Sequence, residues 1–232
     1  MRRPQARILL ATALSAVTVL ALDRPVLAEE TAAVTPPAES VAAEPAAEEA
    51  PASGAIPVVD ALQGEFLGVM KDAEKIGYQG RFERLQEIVA GSFDVPFMAE
   101  KTVGRHWKTL TPEQHEQWIA AFQRMTAATY AGRFEGFSGQ HFEVLGEEDG
   151  KRGTVLVKGQ LVDPGGENVS LGYRMHEVDG QWRVIDVYLD GTVSEVALRR
   201  SEYSSILKNE GFDQLLAKVD EKTQEIAESA VN

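Results

Sequence analysis

The chain changes its hydrophobic period near Gly139, and returns to the helical one from Ser194. Before Gly139, apolar residues recur at spacings of three and four; after it, they alternate. The most patterned stretch runs from Phe93 to Phe134 and holds two of the three tryptophans. Its best helix start is Thr111-Pro112-Glu113-Gln114. Thr111 can cap, Pro112 fits the first helical position, and Gln114 can reach back to close a capping box. From there Trp118, Phe122, Met125 and Thr129 form a stripe, widened by Ala121, Ala128 and Tyr130. Upstream, Leu62, Phe66, Val69 and Met70, then Phe82, Leu85, Ile88 and Val89, predict two helices over Val58–Ile76 and Arg81–Val89, broken near Gly77 and Gly80. Phe93-Asp94-Val95-Pro96 reads as a turn into a short helix capped by Asp94, and Gly104 permits a bend before Trp107.

Past Gly139 the alternation predicts strands over Gln140–Leu145, Gly153–Val162, Asn168–His176 and Gln181–Leu189. Asp163-Pro164-Gly165-Gly166 and Asp179-Gly180 are hairpin signals. Val155, Val157 and Leu161 share a face, as do Val169, Leu171, Tyr173 and Met175; Lys158, Arg174 and His176 fall on the opposite one. The last strand is apolar on both faces (Trp182 and Val184; Ile185, Val187 and Leu189), which marks it as central or strongly curved. Closing helices are expected over Ser194–Leu207 and Phe212–Ile226. Helices followed by an antiparallel meander give an α+β fold, with helices over a twisted sheet of about four strands and a concave apolar space between the layers.

Composition adds compartment and tails. Residues 1–28 carry a basic start, an apolar run from Ile8 to Leu22 and a small-residue cleavage site after Ala28, which reads as a secretory signal peptide. An uncleaved anchor is the alternative, for which the run is short. Residues 29–57, rich in Ala, Pro and Glu without a basic residue, read as a disordered linker, leaving one domain over residues 58–229. There is no Cys, hence no disulfide or lipidation cysteine. The net charge is −13, and −16 once residues 1–28, with four Arg and one Asp, are removed. So acidic a surface disfavours nucleic acid and gives no polybasic grip on anionic membranes.

The sequence has no GxSxG, HExxH, P-loop or dinucleotide-binding glycine pattern. His106, His115, His141 and His176 lack a convincing metal-ligand spacing and read as surface or boundary residues, so neither a metal nor a cofactor is expected. Asp186 is the one acid inside the apolar run VIDVYL. It reads either as a general base in a cavity or as a structural carboxylate, with Arg200 as its candidate partner; the structural reading is favoured.

The pattern FD…MA…VGRHW…T-PEQ…W…AF…Y, from Phe93 to Tyr130, resembles the MlaC or toluene-tolerance family. The resemblance extends over roughly Val59 to Val219 and includes Trp182 to Asp186 and Ser194 to Tyr203. It implies a nuclear-transport-factor-2-like or cystatin-like fold. It also implies a periplasmic carrier, not an enzyme, that holds lipid acyl chains and works with an inner-membrane ABC transporter complex in outer-membrane lipid homeostasis. Glu195 and Arg199 depart from the phospholipid-carrier branch, which has an apolar residue and an aromatic there. The run DGTVSEVALRRSEY is more similar to the hopanoid-associated branch, HpnM, and implies a triterpenoid as alternative cargo.

On that reading a dry cavity is expected, with no charge cluster aimed inward. Its helical wall would be Met98, Val103, Trp107, Phe122 and Met125. Its sheet wall would be Val157, Leu171, Tyr173, Met175, Val184 and Leu189. Taken singly, the aromatic and Met residues among them read more readily as ordinary core than as lining; as a set they are many for one modest domain, and Met suits surfaces that accept variable shapes. The expected partners are a phospholipid or hopanoid and the membrane complex, with the carrier a monomer in solution. Two other readings stay open: a small-substrate enzyme using Asp186, and a binding-only envelope adaptor with a filled core.

Overall fold

The computed structural model describes residues 53–230. The expected signal peptide, and the linker up to residue 52, lie outside the described residues. The elements run α1 (Ala55–Ser92), α2 (Val95–Val103), α3 (Pro112–Arg133), β1 (His141–Asp149), β2 (Val155–Val162), β3 (Val169–Val178), β4 (Gln181–Leu189), β5 (Val193–Ser194), α4 (Glu195–Asn209) and α5 (Phe212–Ser229). The fold is α+β, as expected. The strands form one antiparallel meander in the order β1-β2-β3-β4-β5. Ala55 to Pro57, expected in the linker, form the first turn of α1.

The helical half follows local chemistry. Gly77, at φ 62° and ψ −173°, interrupts α1 where no other residue would sit easily. The break frees carbonyls, and the buried Arg81 takes one: Nη1 donates to Ala73 O at 3.3 Å, while Nε donates to Ala131 O at 2.9 Å. Asp94 caps α2 by accepting from Phe97 N–H at 3.0 Å. Thr111 and Gln114 close the capping box on α3, Gln114 N–H to Thr111 Oγ1 at 3.2 Å and Thr111 N–H to Gln114 Oε1 at 3.0 Å. Gly104 turns the chain at φ 56° into a 3-10 turn over Gly104–Thr109.

The sheet is tied to the helices at one edge. Phe93 bridges Val184 in parallel, and Asp94 N–H donates to Val184 O at 2.9 Å. α1 lies against β1, β2 and β4; α3 packs on α1 and carries α5; α2 joins α3 to α4. Trp118, fully buried, sits where α2, α3 and α4 meet: its Nε1 donates to Ala99 O at 3.0 Å and its ring meets Tyr203 edge-on at 5.1 Å.

Two register shifts shape the sheet. In β1 the shift between Val144 and Gly146 lets the strand continue to Asp149, past the expected end at Leu145. In β4 Arg174 pairs with Asp186 but Met175 pairs with Val184, so Ile185 is an extra residue. The bulge inverts the alternation. Val184 opposite Met175, and Val187 opposite Tyr173, therefore join the same core, although they stand three positions apart. This is why the strand reads as apolar on both faces: it is curved, and it lies next to the two-residue edge strand β5.

Candidate functional site

A cleft opens where α2, α3, β4 and α4 converge. Its floor and walls are Phe93, Met98, Phe122, Val187 and Val196, and Thr126, Thr129 and Tyr130 continue the α3 side. The two threonines present methyl groups, because their hydroxyls donate to Phe122 O and Met125 O on their own helix, each at 2.8 Å. Tyr130 packs against Phe66, Phe134 and Phe93 with ring centroids 4.9, 5.7 and 6.3 Å away. Burial pushes its hydroxyl well above the ordinary tyrosine range. The interior volume is about 30 Å³, room for roughly two waters.

One end of the cleft is charged. Arg133, Glu195 and Arg199 line it. Glu195 lies between the two guanidiniums, Oε1 3.7 Å from Arg133 Nη2 and Oε2 3.8 Å from Arg199 Nε. Arg199 Nη1 donates to Tyr203 Oη at 3.0 Å, and Nη2 reaches Thr129 Oγ1 at 3.5 Å. Burial acts to discharge the Arg199 guanidinium, but Tyr203 and Glu195 more than offset it and hold its pKa above the ordinary value. This corrects the expectation that no charge points inward. Glu195 and Arg199 stand four apart on α4, and the first turn of that helix is set into the cleft.

Asp186 is not among the lining residues. Its Oδ2 accepts from Ser194 Oγ at 2.5 Å and its Oδ1 from Val196 N–H at 3.1 Å. Arg200 is not its partner: that guanidinium lies over Gly104, where a Cβ would stand 2.8 Å from Arg200 Nε. The sequence identified the buried acid but not the turn that folds the start of α4 back onto it. Burial raises the Asp186 pKa, opposed by the bonds from Ser194 and Val196.

The eleven expected wall residues separate. Met98 and Phe122 line the cleft. Val103, Val157, Tyr173, Met175 and Val184 are at most 2% exposed in the packed core, and Met125 is buried with them. Leu171 and Leu189 face each other across β3 and β4 at the border of that core. Trp107 leaves the cleft altogether, because the 3-10 turn stacks it on His115 at 3.7 Å. Missed residues include Phe93, Val187 and Val196, and the α3 row Thr126, Thr129, Tyr130 and Arg133. The row was legible as spacings of three and four from Phe122.

Among the described residues no cluster of three or more His, Cys, Asp or Glu is placed to hold a metal. Among them, too, no helix is long and apolar enough to cross a membrane. The family model described as "MlaC protein" matches residues 60–221, most of the chain. The chain belongs to the MlaC family. It is similar to a curated relative, the intermembrane phospholipid transport system binding protein MlaC of Haemophilus influenzae (strain Rd), at 22% identity over 136 residues. That match spans 57% of this chain and 63% of the relative. In fold it is similar to a phospholipid-binding protein from Ralstonia solanacearum, solved in complex with a phospholipid. The TM-score is 0.65 at 22% identity, covering 75% of this chain and 99% of that one. In this member of the family the apolar cleft lies between β4 and the helices α2, α3 and α4.

Proposed function

We propose that this chain is a phospholipid-binding transport protein that carries its cargo through the periplasm between inner and outer membranes, delivering to or receiving from an inner-membrane transporter complex. The observation that carries the reading is the apolar cleft closed by α4, a helix with one fully buried side chain, Tyr203. Burying a methylene is worth about 0.8 kcal/mol, so some thirty of them make free passage of a lipid through water cost on the order of 20 kcal/mol. A carrier must return most of that and still let go. A cleft of about 30 Å³ cannot hold acyl chains as it stands. Loading therefore requires α4 to move off β4 and α3, so that Phe93, Met98, Phe122, Val187 and Val196 sheathe the chains.

The related Haemophilus and Ralstonia proteins, named for phospholipid transport and binding, support this cargo class. The position of Asp186 supports transport over catalysis, since both its oxygens serve the start of α4. Native mass spectrometry of protein purified from its own periplasm tests the reading. A lipid adduct is expected, and its mass separates a phospholipid from a hopanoid. An apo mass alone under gentle conditions overturns the carrier reading.

A further inference from the structure

The charged end of the cleft has more positive charge than it has partners for. Two guanidiniums share one carboxylate at 3.7 and 3.8 Å, beyond hydrogen-bond reach of either. Arg133 donates no hydrogen bond among the described residues, and Arg199 commits only its two Nη groups, one of them weakly at 3.5 Å. The three side chains sum to +1 inside a chain of net −13. A further acid, Glu202, also acts on Arg199, but as the weakest of its partners and from an exposed position on α4 outside the lining. Cations taken from water require an anion close by. Exposure is graded along the cleft: the side chain of Arg133 is 33% exposed, while Met98 and Phe122 are only 4% and 3% exposed as residues. The site is therefore amphipathic in one direction, apolar at depth and cationic at the rim.

We propose that Arg133 and Arg199, set about Glu195, take the phosphodiester anion of a glycerophospholipid head group while its chains enter the apolar end. The inference rests on the carrier reading and adds that cargo is chosen by head-group charge as well as by tail. A phosphodiester brings one negative charge, which neutralises the +1, and two non-bridging oxygens that suit the planar guanidinium fork. An uncharged triterpenoid polyol brings hydroxyls but leaves the excess cation in place. The same residues that make the run from Asp190 to Tyr203 similar to the hopanoid-associated branch thus favour an anionic cargo on chemical grounds.

The test uses delipidated protein and two competitors with identical acyl chains, phosphatidylglycerol and diacylglycerol, each displacing a fluorescent phospholipid. Phosphatidylglycerol is expected to bind about tenfold more tightly, the scale of a charge-assisted pair. Arg133→Gln and Arg199→Gln should each collapse that ratio. Arg133, which holds up no neighbour by a hydrogen bond, covers the case in which the Arg199 variant unfolds. Arg200→Gln, the same charge change outside the cleft, should keep the ratio, and Glu195→Gln should raise it. Equal binding of the two lipids by the unaltered chain overturns the inference and leaves the carrier standing. Binding of neither removes the carrier reading and this inference with it. An uncharged triterpenoid polyol binding as tightly as phosphatidylglycerol also overturns it.

Discussion

Asp186 Oδ2 accepts a 2.5 Å hydrogen bond from Ser194 Oγ, and that same oxygen of Ser194 accepts from Ala197 N–H at 2.9 Å. With Val196 N–H on Asp186 Oδ1, two of the unpaired amides at the start of α4 are satisfied by one acid and one hydroxyl. The α4 wall of the cleft is thus tied to β4. Asp186→Ala strands the Ser194 hydroxyl and the Val196 amide, with a loss of about 2 kcal/mol on the scale of a lost cap and an unsatisfied buried donor. Urea unfolding measures it. Abolished lipid loading with unchanged stability would instead restore a chemical role for the carboxylate.

The same group sets a pH signature. Burial raises its pKa above the ordinary 3.8, so the folded state binds its proton more tightly than the unfolded chain does. Its stabilising contribution is complete below that ordinary value and is lost as pH rises through the raised one. Asp186→Asn has no such contribution to lose. The melting-temperature deficit of Asp186→Asn should therefore narrow as pH rises above 3.8. A deficit that widens with pH means that Ser194 and Val196 outweigh the burial.

What was legible in the sequence was local. The Thr111 capping box, the Asp94 cap and the turns at Gly104 and Asp179-Gly180 depend on residues within four positions of one another. What escaped needed distant partners. Ser53 donates from N–H and Oγ to Glu147, at 2.5 and 2.8 Å, which fixes the chain just before α1 against an acidic strand that looks like loop. The bulge at Ile185 leaves no mark but an apparent two-faced strand. Alternation tells which face a residue is on, not how deep it lies. Hence Val157 and Met175 were correctly apolar and inward, yet belong to solid core and not to the cleft.

Arg81 illustrates a long-range device with a measurable consequence. It is 4% exposed, burial lowers its pKa, and it joins the broken end of α1 to the last turn of α3 through Ala73 O and Ala131 O. Arg81→Met keeps the bulk but strands both carbonyls, and should cost about 3 kcal/mol. Arg81→Lys, with one compact ammonium for two divergent acceptors, should recover only part. Equilibrium denaturation of the three proteins decides. A neutral Arg81→Met would mean that water replaces the guanidinium.

All five tyrosines, Tyr78, Tyr130, Tyr173, Tyr188 and Tyr203, have pKa values raised, chiefly by burial, and Tyr173 reaches about 12. A neutral phenol in the folded state that ionises near 10 when unfolded contributes stability below 10 that is lost as pH climbs toward its folded value. Absorbance titration should show no phenolate step at the ordinary value. Tyr78 and Tyr188, the least buried, should respond first, and Tyr130 and Tyr173 only as the fold opens. Tyr173→Phe should remove one late titrant. A normal phenolate transition with intact circular dichroism would show that the interior admits water freely.

The transport reading makes its sharpest demand on α4. Thr129 on α3, Val187 on β4 and Val196 on the first turn of α4 all line the cleft. The chain has no cysteine, so Thr129→Cys with Val196→Cys creates a single pair that a short thiol-reactive linker can join. Val196 packs only at the border of the core and Thr129 takes one long bond from Arg199 at 3.5 Å, so two near-isosteric replacements should leave the uncrosslinked double variant folded and able to load lipid. Once joined, the slit stays at about 30 Å³, too small for an acyl chain, and uptake from vesicles should fall by an order of magnitude or more. A reducible linker should restore it on cleavage. Lipid already loaded before crosslinking should be retained far longer than in the open protein, because release uses the same motion. If the joined protein exchanges lipid at the rate of the free one, entry lies elsewhere and α4 is a fixed wall.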